Sequence, residues 1–168
     1  MSDANGDAAQ SNDSNTAPPS LPKMRILGQF IRDMSFENLA AQKALTNIGQ
    51  PDIQVKILPR ADKRPVENQY NVILKVQIEG KTKETDPRAI FLLEIEYGGI
   101  FHIENITMEQ LPPYLYIECP RLLFPFVRRI ISDITHDGGY PPLYLDNIDF
   151  LDLYKKQIES QKNAKTYN

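Results

Sequence analysis

At 168 residues the chain is the size of one domain, enough to bury roughly two-thirds of its unfolded surface around a single core. With 19 Lys and Arg against 22 Asp and Glu, its net charge of -3 excludes the basic footprint of a phosphate-backbone binder, and nucleic acid is not an expected partner. Cys119 is the single cysteine, so no intrachain disulfide can form, which suits a reducing compartment.

The chain opens on Asn, Asp, Ser, Ala and Pro, and residues 1–22 are expected to be a disordered tail. They carry neither a basic start nor an apolar run, so no signal peptide is expected. No later stretch reaches the ~20 apolar residues that cross a bilayer, so membrane insertion is not expected either. A cytoplasmic location follows as an expectation.

A folded domain is predicted over 23–160. In its first strand Met24, Ile26, Gly28 and Phe30 are read onto one side, with Leu27 and Ile31 opposite. The segment from Glu37 to Asp52 carries Leu39, Leu45 and Ile48, and an apolar connection of that length is expected to be functional. Ile53, Val55 and Ile57 alternate with Gln54 and Lys56 in a second strand. Tyr70, Val72, Leu74, Val76 and Ile78 then form the cleanest period of two. Two further apolar runs flank Gly98-Gly99, which reads as a hairpin turn because both residues accept positive φ. The four runs from Ile53 onward, joined by short connections, imply a four-stranded antiparallel meander.

After Ile106 the period lengthens. LPPYLYIECP holds a short helix, and Phe126, Ile130 and Ile134 mark a longer one, with Pro125 in its first turn and Gly138 or Gly139 at its end. A last helix is predicted from Asp149 to Gln161, then a flexible tail over 161–168. The fold class is α+β, strands first and helices after.

Signals of chemistry are sparse. A Cys119–His102 nucleophile pair is conceivable, but a strand-surface histidine and a small buried cysteine explain the same residues. Asp146, Asp149 and Asp152 lack the alternation of a calcium loop and suit a helix N-terminus. No phosphate-cradling glycine loop is present, and neither a cofactor nor a metal is expected. Two features point to binding instead. Glu94 and Glu96 share a strand face with Leu92, opposite Leu93, Ile95 and Tyr97. Tyr140, Leu143 and Tyr144 stand in a proline-stiffened loop, and aromatic rings on such a loop suit recognition.

Four colinear blocks then carry a resemblance: RDMSFEN at 32–38, FLLEIEYGGIFHI at 91–103, ECPRLLFPFVRRIISDIT at 118–135, and GGYPPLYLDNIDFLDLY at 138–154. Together they resemble the SecB family of bacterial protein-export chaperones. The resemblance implies a homotetramer, a dimer of dimers, with sheets flanking a helix layer. It implies a non-enzymatic, ATP-independent chaperone that holds unfolded preproteins in the cytosol and delivers them to the SecA ATPase. By the same analogy Asp33, Glu37, Leu92 and Glu94 would meet SecA. Phe36, Leu39, Leu45, Ile48, Phe124, Tyr140, Leu143 and Tyr144 would contact client peptide, and Leu93, Ile95 and Tyr97 would affect assembly. Asn38-Leu39-Ala40 and Ile48-Gly49-Gln50-Pro51 depart from the family pattern inside the long connection. A chaperone of the same fold dedicated to another client, such as an antitoxin, is the alternative, and a small Cys119–His102 enzyme is a third.

Overall fold

The computed structural model describes residues 20–166; the tail expected over 1–22 lies outside them as far as position 19, as do 167–168. Strands β1 (Lys23–Asn38), β2 (Asp52–Lys63), β3 (Gln69–Lys81) and β4 (Ala89–Glu104) form one antiparallel sheet. Its order is β1-β4-β3-β2. Only β2, β3 and β4 therefore make a meander, while β1 closes on the far side of β4. The chain must cross three strand spacings, about 14 Å, between β1 and β2. That crossing is the physical reason for the long apolar connection, which contains the short helix α1 (Leu39–Gln42).

The Gly98-Gly99 pair is not a turn. β4 runs straight through it, with Gly98 opposite Phe30 and Ile73, and Gly99 opposite Gln29 and Val72. A Cβ at Gly98 would stand 2.7 Å from the Phe30 ring and 2.8 Å from Ile73, and one at Gly99 2.6 Å from the Phe101 ring. The glycines are there because side chains press on the backbone from both faces.

β1 also departs from simple alternation. Register shifts at Leu27 and Arg32 are β-bulges, and each extra residue reverses the faces that follow. Met24 and Ile26 thus face the core side with Ile103 and Phe101, whereas Gly28 and Phe30 turn to the other face. The sequence reading that put all four on one side is corrected by the first bulge.

The helices cover one face only. A short α2 (Leu111–Pro113) leads through a π-helical turn (Tyr114–Glu118) into α3 (Cys119–Asp137). Pro120 occupies the first turn of α3 and Pro125 lies inside it, not at its start as the sequence suggested. α4 (Phe150–Thr166) begins where Asp149 Oδ1 accepts from the Asp152 N–H at 3.0 Å, and it continues to Thr166 rather than ending at Gln161. Leu123, Val127 and Ile131 of α3 pack beneath the inner sheet face, on the cluster that holds Leu74, Val76, Ile95 and Phe101. Each such side chain contributes roughly 1.5–3 kcal/mol by leaving water. Among the described residues no helix layer covers the opposite, outer face of the sheet.

Candidate functional site: an outer sheet face and an apolar groove

The outer face is built by cross-strand register. Asp33 stands opposite Glu96, Ser35 opposite Glu94, and Glu37 opposite Leu92. On the other side of β4, Lys75, Gln77 and Glu79 stand opposite the same three residues. Asp33, Glu37, Leu92 and Glu94 therefore lie on one face. Glu37, Leu92 and Glu94 line a shallow depression of about 570 Å³ that also touches Ser35 and Lys56, and Asp33 stands outside it.

That surface is less acidic than its carboxylates suggest. Lys75 Nζ donates to Glu94 Oε1 at 2.7 Å and lies 3.5 Å from Glu96 Oε1. Gln77 donates to Glu94 Oε2 at 2.6 Å, and Arg32 Nε reaches Glu96 Oε2 at 3.4 Å. The Lys75 hydrogen bond, followed by that of Gln77, holds the Glu94 carboxyl below the usual glutamate range. The same contact with Glu94 raises the Lys75 ammonium above its ordinary value. Asp33 and Glu37 make no ion pair among the described residues. Sequence reasoning missed Lys75 because its neighbours on β3 are read along the strand, while its partners lie across the ladder.

The second feature lies where the long connection meets the loop after α3. A groove of about 320 Å³ runs between Asn38, Ala41, Leu45 and Ile48 on one side and Gly139 and Tyr140 on the other. Beneath it Phe36, Phe91 and Tyr140 form an aromatic cluster, with centroids 5.8 Å apart for Phe36–Phe91 and 5.0 Å for Phe91–Tyr140. The Tyr140 hydroxyl is fixed by Asn38 Oδ1 at 2.8 Å and the Ile90 carbonyl at 3.0 Å. Burial raises its pKa. Phe36, Leu45, Ile48, Tyr140 and Leu143 are half-buried against the core, Leu39 is also half-buried, and Tyr144 is 73% exposed. Phe124 stands apart: it is 5% exposed and packs edge-on against Phe150, so it offers no surface to the groove. Ala40 and Ala44, which the sequence reading passed over, are part of the lining, and small residues beside Leu45 leave room for an inserted side chain.

Leu93, Ile95 and Tyr97 are core residues of the single chain, all buried, with Tyr97 stacked on Phe126 at 6.2 Å. They present no interface themselves. Exposed apolar groups gather instead on the edge strand β1, at Ile26, Leu27, Ile31 and Met34, and on α3 at Leu122 and Phe126. The signal was legible: β1 is apolar on both faces.

Cys119 and His102 are not brought together. Cys119 is buried beside Met24 Sδ at 3.5 Å, whereas His102 lies on the outer face with Nε2 2.6 Å from Glu104 Oε1. Burial pushes the Cys119 thiol up to about 12. No group of three or more His, Cys, Asp or Glu among the described residues could hold a metal, and none of their helices is long and apolar enough to cross a membrane.

A four-stranded antiparallel sheet followed by helices is the fold of the SecB-like chaperones. The chain belongs to the SecB family: the profile of Preprotein translocase subunit SecB matches residues 17–161. It is 61% identical over 165 residues to the protein-export protein SecB of Jannaschia sp. (strain CCS1), covering 96% of this chain and 95% of that one. It is 53% identical over 169 residues to that of Cereibacter sphaeroides (strain ATCC 17029 / ATH 2.4.9), covering 98% of each. Among solved structures, a Mycobacterium tuberculosis SecB-like chaperone in complex with an antitoxin peptide superposes with a TM-score of 0.62 at 16% identity, over 74% of this chain and 90% of that one. That likeness is one of fold.

Proposed function

We propose that this protein is an ATP-independent holdase that binds unfolded preproteins in the cytosol and hands them to the SecA ATPase. The observation that carries the reading is the open apolar groove above the Phe36–Phe91–Tyr140 cluster in a member of an export-chaperone family. An extended segment can lay side chains between Leu45, Ile48 and Tyr140, while Tyr144 adds an exposed ring nearby in sequence. A folded protein escapes because its own apolar segments are already buried.

Two medium apolar side chains contribute ~3–6 kcal/mol on burial, which corresponds to binding only around the millimolar range once ordering costs are met. Useful retention therefore needs several grooves acting on one long client. A homotetramer, a dimer of dimers, provides four, and linked weak sites gain effective concentration without new contacts. The β1 edge supports assembly: it is 16 residues long, contains no proline and exposes Ile26, Leu27, Ile31 and Met34. The other edge, β2, is guarded by Pro59, Lys56 and Arg60. Leu93, Ile95 and Tyr97 act on assembly indirectly, by seating α3 and its exposed Phe126. No nucleotide, cofactor or catalytic turnover enters this cycle.

The outer face, with Asp33 and Glu37 beside Leu92 and Glu94, docks a basic surface of SecA. Asp33→Lys and Glu94→Lys should each weaken SecA binding in a calorimetric titration and leave client binding intact. Unchanged SecA affinity in both variants would refute the assignment. A chaperone dedicated to one client is the second reading, since the superposable mycobacterial protein was solved with an antitoxin peptide. One dominant partner in a pull-down, in place of many preproteins, would favour it.

A further inference from the structure

The outer face holds Glu94 and Glu96 at its centre, yet both are already occupied. Lys75 of β3, opposite Glu96 in the ladder, reaches Glu94 at 2.7 Å and Glu96 at 3.5 Å. Gln77 takes the second oxygen of Glu94, and Arg32, thrown outward at the β1 bulge, takes the second oxygen of Glu96. Glu79 is likewise paired, with Lys81 at 3.0 Å. Asp33 and Glu37, on β1, have no cation of their own among the described residues. The charge available to a partner thus sits on β1, and the β4 carboxylates are held back. The Lys75 and Glu94 side chains remain about one-third exposed, so an incoming cation can reach the pair and exchange with it.

We infer that Lys75 is an internal counter-ion that sets the specificity of the docking face: a basic partner engages Asp33 and Glu37 first and gains Glu94 only by displacing Lys75. This rests on the proposed role of the outer face toward SecA. The partner it selects is a basic segment carrying at least one apolar side chain, because the carboxylates surround Leu92, which is 37% exposed in the depression. A partner with a single cation would be satisfied at β1 and would leave the Lys75–Glu94 pair closed. A partner with two spaced cations would open it.

The test is a double-mutant cycle on the full-length protein, with SecA affinity read by calorimetry at low and at physiological salt. Lys75→Met is expected to tighten binding by roughly three- to ten-fold at low salt and by less as salt screens the face. Glu94→Gln is expected to weaken binding by less than about two-fold in the natural background but by about five-fold beside Lys75→Met. Lys75→Arg should restore the natural affinity, and Lys75→Gln serves if the Met variant folds poorly. If Lys75→Met weakens or leaves SecA binding unchanged while Asp33→Asn and Glu37→Gln weaken it, the counter-ion role is wrong and the docking face stands. If Asp33→Asn and Glu37→Gln also change nothing, the docking face itself is wrong and the inference falls with it.

Discussion

The hydroxyl of Tyr140 and the side-chain oxygen of Asn38 lie 2.8 Å apart, although the two residues are separated by 102 positions in the chain. Asn38 Oδ1 also accepts from the Ala41 N–H at 2.8 Å, and its Nδ2 donates to the Gly138 carbonyl at 2.9 Å. One amide thus caps α1, holds the end of α3 and orients the ring that floors the groove. The groove is therefore a fixed surface at its base, joined to strands at both ends.

Removing either member should separate stability from binding. Tyr140→Phe keeps the ring and loses the hydroxyl, at a cost of about 1 kcal/mol, with client affinity changed by less than two-fold. Asn38→Ala loses the cap and both long-range bonds, at a cost of about 1–2 kcal/mol or more. Urea unfolding and a client-peptide titration measure the two effects. An Asn38→Ala protein as stable as the natural one would show that the bonds contribute nothing.

Tyr144 should behave in the opposite way. At 73% exposure, Tyr144→Ala is expected to change stability by less than about 0.5 kcal/mol while weakening the capture of unfolded clients. Equal capture by both proteins would remove Tyr144 from the client surface.

The two central glycines of β4 should differ under the same substitution. Gly99→Ala drives a Cβ into the buried Phe101 ring and Leu123, which have no room to retreat, and should cost about 1–3 kcal/mol. Gly98→Ala meets the half-open ring of Phe30, which can swing toward solvent, and should cost less. Paired melting curves decide it, and an equal or reversed order would contradict this account of the strand.

The Lys75–Glu94 pair carries a definite pH dependence. The folded value of Glu94 is depressed below the ordinary 4.5, so its contribution to stability is present above that value and is lost as pH falls through the lower, folded one. For Lys75, raised above 10.5, the contribution is present below that value and is lost only as pH rises through the higher one. A side-chain NMR titration should find Glu94 ionising at lower pH than an unpaired glutamate and moving upward in Lys75→Met. An unmoved midpoint would mean that the pair does not persist in solution.

Cys119, with its thiol pushed up to about 12 and no histidine beside it, should resist alkylation near pH 8 until denaturant is added. Mass spectrometry reads this directly. Rapid labelling of the native protein would reopen a nucleophilic role.

What the sequence disclosed, and what it concealed, follows from the range of the interactions. The period of two over Tyr70–Ile78 and the helical spacing of Phe126, Ile130 and Ile134 are local, and both elements are present. The placing of β1 beside β4 depends on long-range pairing, which no local pattern encodes. Gly98-Gly99 read as a turn because conformational freedom and the need for space select the same residue. Asp33, Glu37, Leu92 and Glu94 share the outer face, since Leu92 and Glu94 alternate on β4 and the register sets Glu37 opposite Leu92 and Asp33 opposite Glu96. Lys75 was hidden for the same reason that β1 was: its partners are across the sheet. Phe124 lies in a segment that resembles the family, but its burial against Phe150 is set by α4, which follows 26 residues later.

In the proposed cycle, exposed apolar grooves on an assembled body grip unfolded chain without nucleotide. Its most direct test is light scattering from a denatured preprotein diluted into buffer lacking ATP, with and without the purified protein. Aggregation should be suppressed near one assembly per client, and suppression should fall when Leu45 and Ile48 are replaced by serine. Aggregation that proceeds at the same rate and extent with a full molar excess of the natural protein would contradict it.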